Sequence, residues 1–172
     1  YYRSSITGDV VSRVIANAQP DGDTVRLTPK PGIKWHDGQP FGAADICFTV
    51  DAMLDPTTPS HSSKGFKEIL TGCTVDGDDA IVQFTKTFYN PTDRLSFSVL
   101  PKHIFQGNTS IQPDHEFSVR PTGTGPMKGS RGKREVRFEA RPNAHHSPQL
   151  DVMSMGEGGD PLVQVRTIMN KG

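Results

Sequence analysis

The chain has 172 residues, enough for one domain with a real core, and its 19 Lys and Arg balance 19 Asp and Glu. That zero formal charge leaves no global field to attract nucleic acid or an anionic membrane, so no nucleic-acid partner is expected. No apolar run approaches the roughly 18 residues that span a bilayer, and 17 Gly with 14 Pro predict frequent turns between short elements.

In chain order, the sequence opens on Tyr1 with no basic n-region and apolar h-region behind it, as expected of a processed product or a piece of a longer chain. Gly8 to Ala18 (GDVVSRVIANA) is ambiguous between strand and helical turn. Pro20-Asp21-Gly22-Asp23 predicts a turn. Thr24 to Thr28 then predicts a half-buried strand, with Val25 and Leu27 on one face. Ile33-Lys34-Trp35 resumes an extended pattern before the bend WHDGQP, where Gly38 supplies positive φ and Asp37 can bond the backbone two residues on.

After Phe41, GAADICFTVDAML predicts a helix. Gly42 is its N-cap, Asp45 stands at the third helical position, and Ile46, Val50, Met53 and Leu54 form one apolar stripe. Asp55-Pro56 stops it. Phe66 to Leu70 predicts a short helical turn, and Cys73 to Phe84 a hairpin turning at Asp76-Gly77-Asp78-Asp79. Leu95 and Val99 suggest a further weak helix before Pro101-Lys102-His103. Met127-Lys128 and Glu135 to Ala140 predict two strands joined by the basic turn GSRGKR, and Leu162 to Met169 is a helix candidate in the tail.

Each chemical motif has a plainer structural counterpart. His36-Asp37 has the residue types of a catalytic dyad, but neighbours at a turn splay apart and no GxSxG element supplies a nucleophile, so a corner is the better reading. Gly123-Thr124-Gly125-Pro126 lacks the spacing and the GK[ST] ending of a phosphate loop. His145-His146 lacks spaced co-ligands, and no metal or other cofactor is expected. The basic cluster Lys128, Arg131, Lys133, Arg134 and Arg137 has only Phe138 as an aromatic neighbour, which suits a solvated hairpin end. Cys47 and Cys73 allow one disulfide without demanding it, and buried free thiols are the simpler expectation. The residues alone thus reach a mixed, turn-rich α+β domain.

The order of motifs goes further. DGDTVRLTPKPGIKWHDGQPFGAADICFTVDAMLDP, CTVDGDDAIVQFTKTFYNP, LPKHIF and PTGTGPMKGSRGKREVRFEARPNAHHSPQLD together resemble the family 5 extracellular solute-binding proteins, the oligopeptide-, dipeptide- and nickel-type receptors of bacterial ABC importers. The match rests on Trp35, His36, Asp37, Gly38, Pro40, Phe41, Ala43 and Asp45 in the first block and on Asp76 to Phe84 in the second. Pro101 to His103 carry the third block, and Gly123, Thr124, Gly125 and Pro126 the fourth. Met127 stands where the family has Tyr, and Asn143-Ala144-His145-His146 replaces its N-P-x-Y-W segment.

The resemblance implies an incomplete type II periplasmic binding-protein fold, cluster C-like. Residues 1–20 would belong to a ligand lobe, 21–119 to a peripheral α+β domain, and 120–172 to the start of that lobe, with the second lobe absent. It also implies a non-enzymatic receptor in the periplasm or another extracytoplasmic space, lipid-anchored in some full-length forms. Such a receptor closes on a peptide or small-molecule ligand and docks on a membrane ABC permease. The competing expectations are a small hydrolase using His36 and Asp37, and a stand-alone protein-interaction domain.

Overall fold

The computed structural model describes residues 2–3, 10–59, 64–131, 135–141 and 152–156. The chain divides into two compact units, Tyr1–Pro113 and Asp114–Gly172. The predicted tail helix, His145, His146, Lys133 and Arg134 lie outside the described residues.

In the first unit, β1 (Tyr2–Arg3) pairs with β2 (Val10–Val11). The main sheet is antiparallel in the order β3-β4-β6-β5, with β3 at Ile15–Asp21, β4 at Thr24–Pro29, β5 at Leu70–Asp76 and β6 at Asp79–Phe84. Within the ambiguous N-terminal stretch, Val10–Val11 and residues 15–18 are strand, the latter because β3 finds a partner in β4. Gly22 turns that hairpin with a φ of 59°, and Gly77 does the same between β5 and β6. Alternation behaves as the period of two requires: Val25 and Leu27 of β4, and Ala80, Val82 and Phe84 of β6, are all buried on one face.

Helix α1 (Ala43–Leu54) packs on that face, against β5 and β6. The single apolar stripe expected of it is too narrow. Cys47, Phe48 and Thr49 are buried along with Ile46 and Val50, whereas Met53 and Leu54 are only half-buried. The cause is a second cover. Phe48 stacks on Phe105 with ring centroids 5.6 Å apart, and the Leu100 amide donates to Thr49 Oγ1 at 2.8 Å, so the chain around 100–105 lies over the helix face turned from the sheet.

The helix expected over Leu95 and Val99 is absent. A short 3₁₀ turn, Thr92–Arg94, ends at Leu95, and chain without regular structure follows to Pro101. Burial of Leu95, an edge-on contact of Phe97 with Phe66, and the restriction that Pro101 places on Leu100 together outweigh the weak periodicity. Phe66 itself lies on α2 (Lys64–Ile69).

The cysteines correct a second expectation. Cys47 on α1 and Cys73 on β5 form a disulfide, with Cα atoms 4.9 Å apart. Packing the helix across the edge strand brings them together, which a sequence separation of 26 does not reveal.

The second unit carries β7 (Met127–Arg131), β8 (Glu135–Ala140) and β9 (Val152–Gly156) in an antiparallel sheet of that order. Strand β7 takes up half of the expected basic turn, since Gly129, Ser130 and Arg131 pair with Phe138, Arg137 and Val136.

Candidate functional site

The WHDG bend is a tight backbone corner. The Trp35 amide donates to the Gln39 carbonyl at 2.8 Å, the Gly38 amide to the Trp35 carbonyl at 3.0 Å, and the Phe41 amide to the Ile33 carbonyl at 3.0 Å. Gly38 sits at a φ of 90°, a conformation that L side chains rarely adopt. The Gln39 amide donates to Asp37 Oδ1 at 3.1 Å, the local aspartate turn foreseen from sequence. Trp35 is 2% exposed, its ring edge-on to Phe41 with centroids 5.7 Å apart.

The bend is fastened to the rest of the unit through Asp45, a buried carboxylate in the first turn of α1. Its Oδ2 accepts from Trp35 Nε1 at 3.1 Å and from the Gly42 amide at 3.1 Å, while Oδ1 accepts from the Lys102 amide at 2.9 Å. These three donors satisfy the charge and cap the helix with its own third residue, Gly42 having no side chain to do so. Asp45 thus joins the corner, the helix start and the Pro101-Lys102-His103 segment in one network.

His103 makes the second link. Its Nε2 lies 2.6 Å from Asp37 Oδ2, and its ring is edge-on to Trp35 with centroids 6.4 Å apart. Burial raises the Asp37 carboxyl, but the His103 hydrogen bond and the Gln39 amide outweigh it and hold the group below its ordinary value. The histidine bonded to Asp37 is therefore one 66 residues away, not its neighbour His36, which is half-buried beside it. Both cysteines are consumed in the disulfide, so no thiol nucleophile stands near this pair. The cluster can hold three segments in register. Among the described residues that it joins, Trp35, Asp37, Asp45, Lys102 and His103, there is no Ser, Thr or Cys to serve as the nucleophile of a hydrolytic triad.

Sequence reasoning singled out Trp35, His36, Asp37, Gly38, Pro40, Phe41 and Asp45; the first six lie in the bend and Asp45 in the first turn of α1. It missed the Asp45–Lys102 and Asp37–His103 bonds, whose one signal was the recurrence of the Pro-Lys-His block in the family pattern. Gly123, Thr124, Gly125 and Pro126 lie in the second unit, half-buried in a bend that leads into β7, with the Pro126 carbonyl accepting from the Arg141 amide at 2.9 Å. In the basic cluster, Arg137 Nε pairs with Glu139 at 3.0 Å on the exposed surface.

Beside the corner an open groove of about 1060 Å³ runs between the end of β4, the β5–β6 turn, the start of α1 and the loop after His103. It lies wholly within the first unit.

Residues 10–168 match the family model "Bacterial extracellular solute-binding proteins, family 5 Middle". The chain belongs to this family. The family's description is of solute-binding proteins, and the hydrolase reading of His36 and Asp37 is not favoured. Among curated relatives, a Brucella ovis protein provisionally named as an ABC-transporter peptide-binding protein is 27% identical over 144 residues, which is 78% of this chain. The chain spans only 27% of that relative's length. Among solved structures, NikZ from Campylobacter jejuni in complex with Ni(L-His) superposes with a TM-score of 0.78 at 21% identity, covering 95% of this chain and 34% of NikZ. The oligopeptide-binding protein AppA from Bacillus subtilis, in complex with a nonapeptide, gives 0.78 at 23% identity, with 95% and 34% covered. These likenesses establish the fold, that of part of a type II periplasmic binding protein.

Proposed function

We propose that this chain is the part of an ABC-importer receptor that holds the peripheral α+β domain, residues 21–119, and the beginning of a ligand lobe formed by residues 1–20 and 120–172. The receptor works outside the cytoplasm, closes two lobes on a peptide or similar small solute, and delivers it to a membrane permease. The family match over residues 10–168 carries this reading. The convergence of the WHDG, Asp45 and Pro-Lys-His blocks on one buried carboxylate supports a scaffolding role for that signature. In this reading Trp35 to Phe41 are a structural corner, and the Gly123 to Pro126 bend opens the ligand-lobe strand.

A solute held between two lobes loses roughly half its buried surface when one lobe is missing, so tight binding requires both. Calorimetry with neutral di- to nonapeptides is the test. The receptor containing this segment binds at least one of them saturably, and the 172-residue chain alone binds none below millimolar concentration. Micromolar binding of a neutral peptide by the chain alone overturns the proposal. Hydrolysis of such a peptide that disappears in His36→Ala would restore the enzymatic alternative.

A further inference from the structure

The two ends of the Cys47–Cys73 disulfide have unlike surroundings. Cys47 is 5% exposed on α1, between Ile46 and Phe48, which are buried as well. Cys73 is only partly buried. It stands on β5, the edge strand of the main sheet, whose outer side pairs with no described strand. Close to it in the strand, Thr71 and Thr74 are exposed, and Gly72 has no side chain with which to shield the sulfur. Register sets Cys73 opposite buried Val82 and Val75 opposite buried Ala80, so both side chains take the helix-bearing face of the sheet. Val75, two residues along from the disulfide, is nevertheless 51% exposed. An unpaired strand edge beside an exposed apolar side chain is a surface on which another protein can lay extended backbone.

We propose that Cys73 is the sulfur through which this disulfide is opened and closed in the folded protein, and that its partner is a dithiol–disulfide oxidoreductase docking on the β5 edge beside Val75. From the receptor reading this takes only the compartment, one in which disulfides persist. In the opening direction, a thiolate of the partner's dithiol attacks Cys73 Sγ. The Cys47–Cys73 bond breaks, Cys47 Sγ leaves with the electron pair and takes a proton from water, and a mixed disulfide joins Cys73 to the partner. The partner's second thiolate then attacks its own sulfur in that bond and releases Cys73 as a thiolate, which is protonated in turn. The receptor's disulfide is reduced to two thiols and the partner's dithiol is oxidised to a disulfide; closure runs the same steps backwards. Attack on Cys47 would need a nucleophile to enter the packed side of α1, so access selects the sulfur.

The first probe is glutathione. The oxidised 172-residue chain is exposed briefly to its reduced form, free thiols are blocked with iodoacetamide, and peptide mass spectrometry locates the adduct. In native buffer the adduct is expected on Cys73 at least about tenfold more often than on Cys47, and in concentrated guanidinium on both alike. Single variants avoid the back-reaction of the second thiol. With oxidised glutathione, the Cys47→Ala chain should react at Cys73 at least about tenfold faster than the Cys73→Ala chain reacts at Cys47, circular dichroism melting having shown both to be folded. Equal labelling, a preference for Cys47, or labelling only where the chain is unfolded overturns the proposal. The second probe is a thioredoxin-fold oxidoreductase whose second cysteine is replaced by serine, so that the mixed disulfide persists. It should be captured on Cys73, and Val75→Ser should slow capture at least about fivefold while leaving the glutathione rate unchanged. Capture on Cys47, no slowing, or equal slowing of both probes overturns docking beside Val75. None of these readouts involves a solute, so failure here is distinguishable from failure of the receptor reading.

Discussion

The two units carry blocks of the same family signature and use them differently. In the first, Trp35 and Asp45 are buried at 2% and 6% exposure, and the polar atoms of the corner are bonded to each other across 57 and 66 residues of sequence. In the second, no residue between 114 and 141 whose burial is described is fully buried, and the Gly123 to Pro126 bend is held to β8's end by the Arg141 amide. A signature block becomes a fold determinant where its polar groups leave water together, since a buried donor without its acceptor is costly. Partly exposed backbone at a turn can turn to water instead. The first unit should therefore be brittle at its signature residues, and the second tolerant.

The largest contrast is expected at Asp45. Asp45→Ala strands the Trp35 indole N–H and the Gly42 and Lys102 amides, at a cost of about 3 kcal/mol or more. Its counterpart in the second unit, Thr124→Val, changes a half-buried bend residue and should stay within about 0.5 kcal/mol. Urea denaturation measures both. Equal midpoints for the two variants would break the comparison.

Next is the disulfide, which ties α1 to β5 inside the first unit only. It closes a loop of 26 residues, and the chain-entropy model assigns such a closure about 3.5 kcal/mol. Cys47→Ala/Cys73→Ala should lower the urea midpoint accordingly. Because the unfolded chain is then free to expand, the slope of the transition should rise. A double variant as stable as the parent would mean that apolar packing of α1 suffices alone.

Two glycines sharpen the point for opposite reasons. At Gly38 an added Cβ meets nothing within 4 Å, yet the φ of 90° strains any L side chain, most of all a β-branched one. Gly38→Val should cost about 1–2 kcal/mol, visible as a lower melting temperature. Gly129 on β7 has the reverse problem: a Cβ there would sit 3.1 Å from the Phe138 ring. Phe138 is only half-buried and its ring can shift by a few tenths of an ångström, so Gly129→Ala should fall within about 0.5 kcal/mol of the parent. An unchanged melting temperature for Gly38→Val would count against the corner as a folding element.

Much of this architecture was legible in local pattern. Strand β4 announced itself by alternation, the β5–β6 hairpin by Asp-Gly, and α1 by its cap and its stop at Asp55-Pro56. What stayed hidden was non-local. The second cover on α1 comes from residues 100–105, and nothing in a stripe of Ile46 and Val50 says that Phe48 and Thr49 will also be buried. The Cys47–Cys73 bond depends on how a helix crosses a sheet, and the Leu95 region followed its packing partners instead of its weak period. Of the candidate site, the corner was local and readable. Its fastening to Lys102 and His103 was not, because a hydrogen bond across 57 or 66 residues leaves no spacing rule behind.

The finest contrast concerns pH. Asp37 is held below its ordinary value, so between its folded and unfolded titrations the folded state binds fewer protons. The stability it contributes is complete above the ordinary carboxylate range, near pH 4, and disappears as pH falls through the folded value. Asp55, lowered by Thr109 and Thr57, and Asp79, lowered by Thr28 and Arg26, add acid sensitivity of the same sign; Asp51, raised by burial, opposes it. His103→Gln removes the largest of the interactions that lower Asp37 and leaves those three groups alone. The stability gap between parent and variant should therefore be open at pH 5.5 and closing by pH 3. With side chains 34% and 36% exposed the gap stays below about 1 kcal/mol. Glu139→Gln, which breaks the more exposed Arg137 pair of the second unit, should show no measurable gap at either pH. If the His103 gap is instead the same size at both pH values, the imidazole stabilises the corner through its edge contact with Trp35, and the ion pair with Asp37 contributes nothing to the brittleness of the first unit.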